Sequence, residues 1–148
     1  MQETVAIVRH SATILALILS CVLLGACATP GKTLRPNASR AYPKELTRRG
    51  TLPIQVIRHV THIELTNTTA RSFGPSTIWI NGRFSRPIDG LEIGQTLRLD
   101  LREFRDEFGD TFRAGGFFAT RDPDALVLAE LENDDAMYGL IVVGSLVD

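Results

Sequence analysis

The fold follows from residues 51–67, TLPIQVIRHVTHIELTN, which contain two short runs of alternating apolar and polar residues. Such alternation indicates β-strands with one buried face. Ile54 and Val56 in the first run are even-numbered, whereas Ile63 and Leu65 in the second run are odd-numbered. A strand cannot change its buried face without a break, so a turn or a bulge separates the two runs. The stretch therefore predicts a β-hairpin.

Similar short runs, separated by turn residues, continue towards the C-terminal end. Asn81-Gly82 is a dipeptide typical of tight turns, where a positive φ costs little. Residues 101–108 combine a capping-box-like start with helically spaced aromatic residues, which predicts a helix of at most two turns. We predict strands at about residues 52–58, 61–67, 77–81, 83–88, 96–100, 117–120, 125–132 and 138–143.

About eight short strands with one short helical turn predict an all-β domain. We expect an antiparallel β-sandwich of the immunoglobulin or fibronectin type, with a small barrel as the alternative. The runs at residues 125–129 and 140–143 are apolar on both faces. Because a strand with two apolar faces needs cover on both sides, we expect these two strands to be central.

An apolar run near the N-terminus, Ala12 to Leu24, ends at Leu24-Gly25-Ala26-Cys27. Its length suits the apolar region of a secretory signal. A helix continued to Ala28 would rise only about 25 Å, which is short of a hydrocarbon core of about 30 Å. The last four residues resemble the lipobox of a bacterial lipoprotein. The resemblance implies cleavage between Ala26 and Cys27 and a diacylglycerol on the thiol of Cys27.

The lipobox resemblance also implies a location. Two or more acyl chains, at about 0.8 kcal/mol per buried methylene, make a stable membrane anchor. Ala28 stands where an aspartate tends to mark inner-membrane retention, so the resemblance favours the outer membrane, facing the periplasm, in a Gram-negative cell. A weaker alternative lipobox ends at Cys21. With Cys27 lipidated, we expect no catalytic cysteine, no thiolate zinc site and no disulfide in the mature chain.

The chain divides into three parts. We assign residues 1–26 to a lipoprotein signal peptide with a signal helix, residues 27–50 to the lipidated cysteine and a flexible basic linker, and residues 51–148 to the β-sandwich domain. Six cations against one acid lie between residues 28 and 50, and three prolines interrupt that segment. Residues 100–148 hold twelve acids against four arginines. Because nucleic-acid binding needs clustered cations on the fold itself, we expect no nucleic-acid partner.

Four stretches of the mature chain carry a second resemblance. They are IELTNTT at residues 63–69, WIN at 79–81, RPIDGL at 86–91 and FRAGGFFAT at 112–120. Together they resemble a group of small bacterial lipoproteins, over most of residues 54–143. The resemblance implies a single β-domain and an envelope location, and it implies no activity, because none is assigned in that group.

Candidate catalytic and metal-binding residues are few. His59 and His62 point to opposite faces if they share one strand, although they approach each other if they flank a turn. Asp106, Glu107 and Asp110 lack the alternating ligands of a calcium-binding loop. No nucleophile elbow, phosphate loop or zinc-protease motif occurs. We therefore expect no enzyme, no catalytic residue, no metal and no cofactor.

Trp79, with Arg83 and Arg86, forms the candidate binding surface. If Ile78 and Ile80 point inward, Trp79 lies on the other face of its strand beside the two arginines, where it suits a protein or glycan contact. The alternative is a Trp79 buried in the core, with the isoleucines facing outward.

The same alternatives apply to Phe117, Phe118 and Tyr138. We predict a lipid-anchored lipoprotein of the cell envelope, whose domain is a non-catalytic binding or structural module for another envelope protein. A glycan- or peptidoglycan-binding module that uses Trp79 is the alternative. A hydrolase that uses two dispersed carboxylates is a third hypothesis.

Overall fold

Seven strands form one curved sheet in the part of the chain that the computed structural model describes, residues 38–144. Their order across the sheet is β4-β3-β6-β7-β1-β2-β5, and the sheet curls into half a barrel. The strands are β1 (Thr47–Arg58), β2 (His62–Thr66), β3 (Ser76–Ile80), β4 (Phe84–Ile88), β5 (Thr96–Asp100), β6 (Ala129–Asn133) and β7 (Ala136–Val143).

The all-β prediction is confirmed, but the antiparallel sandwich of about eight strands is wrong. The sheet is mixed, because β1 pairs in parallel with β7 on one side and antiparallel with β2 on the other. At residue level Val56 faces Val142 of β7 and Leu65 of β2. This parallel pairing places β1 inside the sheet, between β7 and β2. The alternation of apolar and polar residues in β1 does not specify which strands pair with it or in which direction they run.

The predicted hairpin and the predicted tight turn are both present. β1 and β2 are joined by a short turn in which the N–H of His59 donates to the carbonyl of His62 at 2.9 Å. Asn81 and Gly82 have φ values of 53° and 60° and connect β3 to β4. Asn and Gly tolerate this left-handed conformation at low cost, which explains why the dipeptide marks the turn.

Three predicted elements differ in the structure. The expected helix is a single 3₁₀ turn, Leu101–Glu103, because the chain becomes extended again at Phe104. Arg105 then pairs with Ser85 of β4 as an isolated bridge. The predicted strand at residues 117–120 and the first part of the predicted strand at 125–132 are loop, and β6 begins only at Ala129.

The core lies on one face of the sheet. Phe84 and Phe112 meet edge to face there, with ring centroids 5.5 Å apart. The remaining large members of the core are aliphatic or aromatic side chains from strands and loops alike: Ile54, Val56, Ile63, Leu65, Phe73, Ile78, Ile80, Leu91, Leu99, Leu101, Phe104, Leu126 and Leu131. Burial of this apolar set is the main source of stability for the sheet.

The opposite face of β3 and β6 is covered by the segment that the sequence assigned to the flexible linker. Trp79 is 0% exposed there, and the ring of Tyr42 meets it edge-on at 5.3 Å. Arg40 and Arg48 pair with Glu132 and Glu130 of β6. The described part of the linker, residues 38–50, therefore packs on the sheet, and β1 begins at Thr47 instead of at about residue 52.

Ala26 and Cys27, the predicted cleavage site and lipid attachment site, lie outside the described residues. Within residues 38–144, no helix is long and apolar enough to cross a membrane.

Candidate functional site

The most exposed large apolar side chains of the described part are adjacent in one loop. Phe117 is 95% exposed and Phe118 is 90% exposed. Their rings meet edge to face, with centroids 5.0 Å apart and an interplanar angle of 89°. We call residues 113–124 the Phe loop. Most large apolar side chains bury their surface on folding, so the two neighbouring exposed rings form a candidate binding surface.

The two ends of the Phe loop are joined by Arg113 and Asp124. The backbone N–H of Arg113 donates to Oδ2 of Asp124 at 3.0 Å, and its Nε donates to Oδ1 at 2.8 Å. In return the N–H of Asp124 donates to the carbonyl of Arg113 at 2.8 Å. A compact loop with closed ends is an Ω-loop, a form that is frequently functional.

These hydrogen bonds also set the charge of Asp124. Partial burial acts to raise the pKa of this carboxyl, but the hydrogen bonds and the positive charge of Arg113 outweigh burial and hold the pKa below its ordinary value. Asp124 therefore remains ionised at neutral pH, and the closure of the loop is a charge-assisted one.

Arg58, at the end of β1, holds the base of the loop from the inside. Its guanidinium donates to the carbonyls of Asp124 and, at 3.1 Å, of Ala114. The same group lies over the ring of Phe112, 5.4 Å from the centroid. Burial lowers the pKa of Arg58. The loop is thus attached both to itself and to the end of a strand inside the sheet, which limits its motion.

Gly115 and Gly116 set the path of the loop beyond this base. Their φ values are 88° and 120°, a region that side-chain-bearing residues rarely adopt. A Cβ at Gly115 would lie 3.0 Å from Pro123, and one at Gly116 would lie 3.4 Å from Thr61. The loop therefore runs against the β1–β2 turn before it projects the two phenylalanines outward.

A charged cleft of about 720 Å³ lies beside the loop. Arg83, Asp110, Arg113, Arg121 and Asp124 contribute its charged lining. Arg113 and Asp124 are the pair that closes the loop. Arg83 contacts Asp110 at 3.5 Å. Arg121 makes no ion pair within the described residues, so it is the cation of the cleft that remains open to a ligand.

Arg83 also binds Asp106, which is 0% exposed. Nε and Nη2 of Arg83 donate to Oδ2 at 2.9 and 2.6 Å, and Oδ1 accepts from the N–H groups of Phe108 and Asp110. Burial acts to raise the pKa of Asp106, but these four hydrogen bonds outweigh it and lower the pKa. Asp106 is a structural carboxylate that organises residues 106–110.

The structure does not bring the predicted binding residues together as one surface. Trp79 has no exposed ring, Arg83 faces Asp106, and Arg86 pairs with Glu103 at 2.7 Å. Ile78 and Ile80 point into the core, so Trp79 does lie on the other face, as one of the alternatives expected. The N-terminal segment covers that face, so Trp79 offers no contact surface.

The two histidines flank a turn and stack, with ring centroids 4.4 Å apart. Desolvation, Arg98 and His59 together lower the pKa of His62. Within residues 38–144, no three His, Cys, Asp or Glu side chains are grouped closely enough to hold a metal ion.

The sequence left the exposure of Phe117 and Phe118 open and predicted a strand instead of the Phe loop, because both residues favour a strand by composition alone. Two signals point the other way: the Gly115-Gly116 pair and the turn residues around Pro123. The partner of Arg113 could not be identified, since several acids lie at similar distances along the chain.

Comparisons of this chain with protein-family models, with curated proteins and with solved structures found no match.

Proposed function

We propose that this protein is a lipid-anchored lipoprotein of the bacterial cell envelope, whose domain is a non-catalytic module that binds another envelope protein through the Phe loop. The observation that carries the binding role is the exposure of Phe117 and Phe118 on a loop whose base is clamped by Arg58, Arg113 and Asp124. The resemblance of residues 24–27 to a lipobox supports the anchor.

The energetics of the loop favour binding. Each phenylalanine that enters an apolar pocket contributes roughly 1.5 to 3 kcal/mol. A loop that is already ordered loses little conformational entropy when it docks, so more of that gain remains as affinity. Aromatic side chains and arginines are typical of the residues that dominate the binding energy of protein interfaces. Arg121 lies in the same loop, four residues after Phe117 and three after Phe118.

These features define the partner surface. It would contain an apolar pocket for the two rings, with a carboxylate near its rim for Arg121, because Arg121 has no counter-ion among the described residues. The rings are perpendicular to each other, so a pocket of matching shape fits them better than a flat surface does. A folded protein offers such a pocket.

Site-specific photo-crosslinking tests the binding role in the intact envelope. A benzophenone side chain at position 117 of the full-length chain should give a discrete adduct with one partner. The matched control carries the same group at position 141, because Ile141 is also exposed but lies on β7. Equal adducts at both positions, or none at 117, would contradict the docking role of the loop.

Fractionation tests the anchor separately. Cys27→Ser should move the protein from the membrane fraction to the soluble or unprocessed form, because the lipid has no attachment site. In a Gram-negative cell we expect the wild-type chain in the outer membrane, facing the periplasm. A Cys27→Ser chain that is still cleaved and still found in the membrane fraction would contradict the anchor and leave the crosslinking result standing.

The glycan-binding alternative relied on an exposed Trp79 and loses its aromatic contact, since that ring is covered by Tyr42 and Arg40. The hydrolase hypothesis stays a prediction. Asp110 and Asp124 both line the charged cleft, but Asp124 is paired with Arg113 and its pKa is lowered, the opposite of what a general acid requires.

A further inference from the structure

The half-barrel has an open seam between its two edge strands. β4 and β5 stand at opposite ends of the strand order, and no ladder joins them within the described residues. A groove of about 510 Å³ occupies this seam. Ile88 of β4 and Leu97 and Leu99 of β5 form its apolar lining.

The backbone of β5 has hydrogen-bonding groups that face this groove. The N–H of Leu101 donates to Thr61 and the carbonyl of Gln95 accepts from Asn67, so odd-numbered residues of this strand bond towards β2. Successive backbone groups in a strand alternate in direction. The N–H and carbonyl groups of Thr96, Arg98 and Asp100 therefore point into the seam, where a further strand could pair with them.

The edge of β4, by contrast, is already paired with another segment of the chain. Ser85 exchanges two backbone hydrogen bonds with Arg105, at 2.8 and 3.1 Å. Pro87 has no N–H to offer. An added strand would consequently pair with β5 and only lie against β4.

Arg86 supplies one of the four charges that line the groove, beside Asp89, Glu92 and Arg98. It has the same parity as Phe84 and Ile88, so its side chain lies on the core face, and it lines the groove. Nη2 pairs with Glu103 across the seam at 2.7 Å. Nη1 is buried and has no hydrogen-bond partner among the described residues. A buried donor without an acceptor is costly, and an added carboxylate would satisfy it.

We propose that this groove binds an extended segment of a partner polypeptide, which adds to β5 as an eighth strand and places an aspartate or glutamate against Arg86. Residues of the added strand that lie opposite Leu97 and Leu99 face the core side. An apolar residue there packs on the leucines and Ile88, and an acidic residue two positions away lies against the guanidinium of Arg86. The site uses no residue of the Phe loop and does not depend on the lipid anchor.

Two synthetic heptapeptides test the proposal. The probe is acetyl-Thr-Val-Thr-Glu-Thr-Val-Thr-amide, and its matched control replaces the single Glu by Gln. The measurement is the backbone amide spectrum of the full-length ¹⁵N-labelled chain in detergent micelles. We expect the Glu peptide to shift the amides of Arg98 and Asp100 and to slow their hydrogen exchange. It should bind about tenfold more tightly than the Gln peptide, as one charge-assisted hydrogen bond implies.

Two variants of the chain identify the cation. Arg86→Gln should abolish the preference for Glu over Gln, because the donor that distinguishes the two peptides is gone. Glu103→Gln should preserve it, because Arg86 remains. If Arg86→Gln fails to fold, the comparison of the Glu and Gln peptides binding to the wild-type chain still tests the proposal.

Several outcomes would overturn the proposal. Equal binding of the two peptides, or shifts outside β5 and the groove, would remove the strand-addition site. Sodium acetate that reproduces the shifts would indicate a small-anion site only. Amide shifts of Arg98 that depend on protein concentration without peptide would assign the seam to a second copy of the chain.

Discussion

The indole Nε1 of Trp79 donates a hydrogen bond to Oε2 of Glu132 at 2.6 Å, on the face of the sheet opposite the core. The same carboxylate pairs with Arg40, whose guanidinium lies over the indole, 5.3 Å from the ring centroid. Glu132 thus connects a buried tryptophan to the N-terminal segment that covers it.

Removal of the Glu132 carboxylate should weaken the packing of the N-terminal segment, residues 38–50, over Trp79. Glu132→Ala leaves the indole N–H and Arg40 without their acceptor, so we expect the free energy of unfolding to fall by about 1 to 3 kcal/mol. Trp79 is the sole tryptophan, so its emission reports the change directly and should move to longer wavelength. Lys44→Ala, an exposed change in the same segment, should leave both quantities as they are. An unaltered emission maximum in Glu132→Ala would show that the cover is held by other contacts.

The strands of this sheet were largely predictable, because alternation of apolar residues such as Ile63 and Leu65 is a local property. The pairing of β1 with β7 was not, since it joins residues more than eighty positions apart and no local pattern encodes the partner. For the same reason Arg40 and Arg48 were assigned to a flexible basic linker: their partners, Glu132 and Glu130, follow about eighty to ninety residues later.

The candidate site was predicted less well than the fold. The sequence left open whether Trp79 lies in the core or on the other face of its strand, because its cover comes from Tyr42, which lies in a proline-rich stretch with no periodicity. Phe117 and Phe118 read as strand residues by propensity. Their exposure depends on Arg58 and Asp124, which meet only in the folded chain.

The exposed rings of the Phe loop should contribute nothing to folding. Phe117→Ser combined with Phe118→Ser is expected to change the free energy of unfolding by less than about 0.5 kcal/mol, as surface substitutions usually do. Phe112→Ser is the control, because Phe112 is buried three residues before the first loop glycine, and its loss should cost about 3 to 5 kcal/mol. Urea unfolding followed by Trp79 emission measures both.

The two serine substitutions should also reduce the binding of a hydrophobic dye to the folded protein, because they remove its most exposed rings. If the double variant were as unstable as Phe112→Ser, the two rings would be part of the core in solution, and the docking role would lose its basis.

The path of the Phe loop should depend on Gly115. Its φ of 88° disfavours any side chain by roughly 1 to 2 kcal/mol, and a Cβ would also press on Pro123 at 3.0 Å. Gly115→Ala is therefore expected to destabilise the fold by at least that amount and to make residues 113–124 more sensitive to protease. Gly74→Ala is the matched control, since a Cβ at Gly74 meets nothing within 4 Å. Equal effects of the two substitutions would contradict the loop geometry.

Stability should fall in acid because of Asp106. Its pKa is lowered on folding, since the hydrogen bonds from Arg83, Phe108 and Asp110 outweigh the effect of burial. The unfolded chain, with an ordinary pKa near about 3.9, therefore takes up a proton before the folded chain does. The stabilising contribution is fully present above that value and is lost as the pH falls through the lower pKa of the folded state.

Asp106→Asn isolates this contribution. The amide keeps an oxygen for the N–H groups of Phe108 and Asp110 but carries no charge for Arg83, and it does not titrate. We expect lower stability at neutral pH, by about 1 to 3 kcal/mol, and a smaller loss on going from pH 5 to pH 2 than in the wild-type chain. Asp122→Asn is the control, because Asp122 is exposed and makes no ion pair within residues 38–144. Parallel acid profiles for Asp106→Asn and the wild-type chain would show that other carboxylates govern the acid response.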